Sequence, residues 1–116
     1  MKDKDFLEKI AMEMREEFET KTIDVKLLEQ FFYDYIPLNH CESFIQKSLE
    51  SFPRNNCSVA TVYLKHKIPE GKVIPGWYGL DVHVFLMVDD IIVDITADQF
   101  GGPKVYVGPL KYPWGT

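Results

Sequence analysis

The sequence predicts a single α+β domain in which N-terminal helices precede an antiparallel sheet, and three observations carry that prediction. Apolar residues recur at helical spacing through the first fifty or so positions. Beyond them come short runs rich in Val, Ile, Phe and Tyr, punctuated by Gly, Pro, Asn and Asp. One of these stretches, HVFLMVDDIIVDITADQF over 83–100, reads as a hairpin turning at Asp89-Asp90. With 116 residues, 46% of them hydrophobic and 14% aromatic, the chain has apolar matter for one core and is too short to divide into two.

Taken in order, residues 4–19 place Phe6, Leu7, Ile10, Ala11, Met14 and Phe18 on one helical stripe, with Lys and Glu elsewhere. A second helix begins at Asp24, a natural N-cap, turns Val25, Leu28, Phe31, Phe32 and Tyr35 inward, and stops at Pro37. These stripes read as core packing. Asn39, followed three residues later by Glu42, resembles a capping box, so a third helix is expected to run to about Phe52 with Cys41 in its first turn. Phe52-Pro53-Arg54-Asn55-Asn56 signals a turn, and the alternation in CSVATVYLKHK predicts a strand over 57–65. Residues 66–80, with three Gly and two Pro around a short KVI strand, read as a loop that could lie over a site. A last strand is expected at Val105-Tyr106-Val107, followed by an irregular tail from 108 to 116. The sheet would then have four or five strands, with the third helix packed on the face bearing His83 and Asp94.

The hairpin brings two polar groups together. With strands at 81–88 and 91–96 and a two-residue loop, Val88 faces Ile91, Phe85 faces Asp94 and His83 faces Thr96. His83 and Asp94 then emerge on the same face as diagonal cross-strand neighbours, within reach of a hydrogen bond. A one-residue change in the loop would flip one of them away.

Composition narrows the function. A net charge of −5 and a pI near 5.1 argue against a nucleic-acid partner, which calls for clustered Lys and Arg. No apolar run is long enough to span a membrane, and the beginning, MKDKDFLEKI, lacks a signal-peptide core, so the expected location is cytoplasmic, with export as an effector left open. Cys41 and Cys57 are too few for a disulfide framework and have no CxxC spacing. They are expected as free thiols. In the first turn of a helix, Cys41 would sit by free backbone N–H groups that favour thiolate; Cys57, at the start of an alternating strand, reads as a small buried hydrophobe.

A thiol near a helix start, followed by a His strand and an Asp strand, is the set of groups that activates a nucleophile: imidazole takes the thiol proton and a carboxylate holds the imidazole. This order resembles the papain-like and transglutaminase-like thiol superfamily over about residues 39–107, and in particular its small bacterial and phage-associated members with a His strand followed by VDITADQF. Relatives often read His-Ala-Trp and Asp-Pro-Thr, where this chain has His83-Val84-Phe85 and Asp94-Ile95-Thr96, and a Gly-rich lead-in where it has Asn39-His40-Cys41. The resemblance implies a core of residues 39–107 behind N-terminal helices at 1–38. It also implies Cys41 as nucleophile, His83 as general base and Asp94 as orienter, in a cysteine-dependent amide hydrolase or acyltransferase of peptidase, amidase, deamidase or transglutaminase type, in some relatives a toxin or effector. Asn39 and Gln99 are candidate oxyanion donors and Trp77 a candidate substrate contact. The expected partner is a protein, peptide or small amide substrate, with no cofactor.

Blander readings stand beside this one. Cys41 could be structural, Asp98 and Gln99 could bond a loop, and Asn39 could serve only as a cap. His40, Cys41, His83 and Asp94 are ligand types suited to zinc, but their spacing matches no known metal motif, and no metal is expected. The rival function is a non-catalytic binding, immunity or regulatory module on the same scaffold; a thiol redox role would need an intermolecular partner.

Overall fold

In the computed structural model, described over residues 3–35, 41–52 and 56–116 and without the side chains of residues 32, 34, 35 and 41–44, helix α1 spans Lys4–Thr20. The Asp3 carboxylate opens it by accepting from Phe6 N at 2.8 Å. Lys21 closes it in a left-handed conformation, returning its N–H to Glu17 O and Phe18 O. Leu7, Ala11, Met14 and Phe18 are buried, as their spacing predicts. Helix α2, Val25–Tyr35, starts where Asp24 Oδ1 accepts from Leu27 N at 3.1 Å. Helix α3, Cys41–Ser51, buries Ile45 and Ser48 and packs on α2.

The next segment corrects the expected strand. Residues Cys57–Lys67 form helix α4, with every side chain from Val59 to Leu64 buried. It is enclosed by α2 on one side and by the first two strands on another. A helix covered all round shows no amphipathic period, and its packing outweighs the strand preference of Val59, Thr61 and Val62. Lys65 and Lys67 lie in its last turn, where their charges complement the helix dipole.

Strand β1, Lys72–Tyr78, is longer than the expected KVI run, and Gly79 (φ 62°) turns it into β2, Asp81–Val88. Asp89 (φ 54°) begins the tight turn to β3, Ile91–Asp94, with Val88 opposite Ile91 and Leu86 opposite Val93. A 3-10 turn at Ala97–Phe100 follows, then β4, Tyr106–Pro109, and β5, Trp114–Gly115, lies where the tail was expected to be irregular. The sheet is antiparallel in the order β4-β3-β2-β1-β5.

Its two faces carry different cores. Leu86, Val88, Val93 and Val107 pack under the helices, α4 on β1 and β2 and α1 on β3 and β4. On the other face Phe85, Ile92, Trp114 and Ala97 form a smaller core bordered by Ile74, Tyr78, Met87 and Tyr106. His83 and Asp94 follow the alternation of Phe85 and Ile92 onto this second face. The expectation that the third helix covers them is therefore corrected: α3 packs on α2, the helix on β2 is α4, and the helices pack against the opposite face except where the first turn of α4 meets β2 at Val84.

Arg15 ties the layers together. Almost fully buried, it donates from Nη1 to Ile95 O at 2.8 Å and forms a two-pronged pair with Asp98 at 2.7 and 2.8 Å. Asp98→Ala is expected to cost about 2–3 kcal/mol in urea unfolding, because a buried guanidinium loses its main charge partner. A change within about 0.5 kcal/mol would show that the pair does not hold α1 to the sheet.

Candidate functional site

The β2–β3 ladder runs from Val88–Ile91 to Leu86–Val93. Past that point His83 Nε2 meets Asp94 Oδ2 at 2.7 Å, with both side chains buried. Three further bonds reach the same carboxylate: Thr96 N at 2.9 Å and Thr96 Oγ1 at 3.4 Å to Oδ1, and Trp114 Nε1 at 2.8 Å to Oδ2. The carboxylate is fixed from several sides, and so is the ring it holds.

Trp114 enters from the chain end. Pairing of β5 with β1 sets it beside Tyr78, and its ring stacks on Tyr106 at 4.0 Å. Tyr78, Phe85 and Phe100 crowd the imidazole at ring separations of 6.2, 5.9 and 5.1 Å. Trp114→Phe keeps the stack and deletes one buried donor to Asp94, so a loss of about 1–2 kcal/mol is expected in thermal or urea unfolding. An unchanged midpoint would mean that Thr96 and His83 alone hold the carboxylate.

Helix α4 brings the thiol. Cys57 is its first residue, half-buried. The hydroxyl of Thr61 shares its proton between Cys57 O at 2.6 Å and Val84 O at 3.2 Å, which pins the first turn of the helix to β2. Opposite Val84 on β1 stands Pro75, which has no N–H to offer. Ala60 N, bonded to Asn56 O at 2.8 Å, closes the first helical hydrogen bond. Asn56, although at the cap position, turns its amide to Ser48 O at 2.9 Å and does not cap. The N–H groups of Cys57, Ser58 and Val59 therefore have no carbonyl within the helix.

The Cys57 sulfur interacts with the His83 imidazole, with the Val84 main chain and with the Ser58 hydroxyl. Burial pushes the thiol up, but those three contacts outweigh it and hold Cys57 below its ordinary value. For His83 burial works downward, and the Asp94 and Cys57 partners override it, raising the imidazole to about 9. The two shifts share one part, mutual stabilisation of thiolate and imidazolium, while Asp94 contributes the largest part of the rise at His83. Asp94 occupies Nε2, which leaves Nδ1 to the sulfur. Nδ1 is buried and makes no hydrogen bond of ordinary length and angle, so the thiol–imidazole contact is looser than the His83–Asp94 bond. Such contacts commonly tighten only when substrate binds.

Of the residues singled out from sequence, His83 and Asp94 meet. Cys41 opens α3, but its side chain lies outside the described residues, as do Asn39 and His40. The described thiol against His83 is Cys57, which the sequence reading treated as a core residue. Gln99 donates one of its two amide N–H groups to Thr96 O at 3.0 Å, a local bond. Trp77 lies on β1 opposite Val82, 47% exposed. Among the described residues no group of three or more His, Cys, Asp or Glu is arranged to hold a metal ion, and no helix is long and apolar enough to cross a membrane. Comparisons with protein-family models, curated proteins and solved structures find no match for this chain.

Proposed function

We propose that this chain is a thiol-dependent hydrolase or acyltransferase acting on an amide bond, with Cys57 as nucleophile, His83 as acid and base, and Asp94 as the group that orients His83. The carrying observation is the Cys57 sulfur at the start of α4 against an imidazole whose far nitrogen is held by Asp94 at 2.7 Å. The order of thiol helix, His strand and Asp strand is that of a papain-like or transglutaminase-like core, with the nucleophile at Cys57 in place of the expected Cys41.

The chemistry follows from the groups. The Cys57 thiolate attacks the carbonyl carbon, an S–C bond forms, and the oxyanion takes hydrogen bonds from first-turn N–H groups of α4. His83 gives its proton to the nitrogen as the C–N bond breaks, and the amine leaves a thioester behind. Neutral His83 then takes a proton from the incoming water, or from an amine in acyl transfer. The new bond to carbon releases the sulfur as thiolate and restores the imidazolium.

A second reading, a binding module in which the triad is a structural latch, is favoured by the complete burial of His83. The pH dependence of Cys57 alkylation by iodoacetamide, in the native protein and in His83→Ala, separates the two. The enzyme reading expects reaction well below pH 8 that slows by about tenfold or more when His83 is removed. A Cys57 that reacts only as an ordinary thiol in both proteins assigns the triad to structure.

A further inference from the structure

The first turn of α4 meets the sheet where two strands part. Val84 stands opposite Pro75, a pair that cannot exchange both ladder bonds, so the Val84 main chain turns its polar groups away from β1 and toward β3. Leu86 and Val88 share that orientation by alternation and pair there with Val93 and Ile91. One step farther along, the same register would set Val84 against Ile95, but the carbonyls at that step accept from side chains. Ile95 O takes Arg15 Nη1 at 2.8 Å, and Val84 O takes Thr61 Oγ1 at 3.2 Å. Helix α4 thus fills the edge of β2 beside the point where His83 meets Asp94.

Thr61 makes this join. It is buried, and its hydroxyl also donates to Cys57 O at 2.6 Å, one helical turn back. A single side chain therefore touches the main chain of the nucleophile and that of the strand residue next to His83. We infer that Thr61 is a positioning residue for the thiol: its hydroxyl, shared between Cys57 O and Val84 O, holds the first turn of α4 on the opened edge of β2 and thereby sets the Cys57 sulfur at His83. The inference rests on Cys57 as the nucleophile and adds the group that fixes where it stands. Without the hydroxyl, Val84 O loses this donor in a buried site, and the helix start is free to draw back from the strand. The thiol–imidazole contact, already looser than the His83–Asp94 bond, weakens first.

The test is the pH profile of Cys57 alkylation by iodoacetamide in Thr61→Val, Thr61→Ala and Thr61→Ser, each checked for native fold by circular dichroism. Val and Ala delete the hydroxyl in two shapes, so that if one fails to fold the other is measured; Ser keeps it. The Val and Ala variants are expected to raise the alkylation midpoint by about one unit, toward the ordinary thiol value of 9.0. Below the midpoint their reaction should slow by about threefold, since a unit rise removes about nine-tenths of the thiolate while the more basic thiolate attacks faster. In both, the His83 titration followed by proton NMR should fall from about 9. Thr61→Ser should keep both midpoints within about 0.3 unit of native.

A native alkylation midpoint in the Val and Ala variants, whatever their loss of stability, would assign Thr61 to structure alone and overturn the proposal. A midpoint raised as far in Ser as in Val would overturn it too, because the methyl and not the hydroxyl would then set the thiol. If His83→Ala leaves the midpoint of the otherwise native protein unchanged, the fault lies with the nucleophile reading, and the positioning role falls with it.

Discussion

Cys57→Ala is expected to abolish fast alkylation and to lower amide turnover by more than about a thousandfold, whereas Cys41→Ala leaves both within about twofold of native. The asymmetry follows from what each thiol touches. Cys57 has an imidazole, a main-chain contact and a hydroxyl around its sulfur, and these hold it below an ordinary thiol despite burial. Removing a half-buried sulfur opens little space, and His83 keeps its bond to Asp94, so the variant should fold. It also carries a spectroscopic signature. With one of its two raising partners gone, the His83 titration followed by proton NMR should move down from about 9. If Cys41→Ala were the silent variant and Cys57→Ala the reactive one, the catalytic assignment would return to the third helix.

That contrast also shows where the sequence could be read and where it could not. The hairpin was legible because its signals are local: two acidic residues between apolar runs, one of them tolerant of positive φ, and a period of two that fixes which side chains share a face. His83 and Asp94 followed from it directly. Helix α4 was hidden because Val59 to Leu64 are all buried, which erases the polar face that marks a helix, and because three of the six are β-branched. Signals against a strand were present: eleven residues are long for one, Asn56 stands at a cap position, and Lys65, His66 and Lys67 close the run as basic residues close helices. Misreading this helix set aside Cys57, the thiol on which the proposed mechanism rests. Trp114 was beyond local reading, since nothing in GPLKYPWGT reveals that two residues of it pair with β1 and aim an indole N–H at Asp94.

Asp94→Ala should be the most damaging substitution for stability, costing about 3–5 kcal/mol in urea unfolding. Its carboxylate accepts from His83, Thr96 and Trp114 in a site with almost no solvent, so truncation leaves an imidazole and an indole N–H without their acceptor. Asp94→Asn preserves shape and one acceptor oxygen and should cost less, yet both variants should lose the fast thiol, since neither supplies the charge that raises His83. A loss below about 1 kcal/mol in Asp94→Ala would refute the view that this carboxylate organises the second core.

The pH dependence gives the same interaction a sign. His83 is raised from 6.5 to about 9 in the folded chain, so its contribution is fully present below pH 6.5 and is lost as pH rises through about 9. The displacement corresponds to on the order of 3 kcal/mol. Cys57 is lowered, so its contribution runs the other way: present above the ordinary thiol value of 9.0 and lost as pH falls through its folded value. In the native protein the two trends oppose each other between those limits and flatten the profile. Cys57→Ala removes one of them, and its stability should then fall steadily as pH rises from 6.5 through the folded His83 value. Adding Asp94→Ala should erase that slope. If the slope persisted without the carboxylate, the bond between His83 and Asp94 could not be what holds the proton on the imidazole.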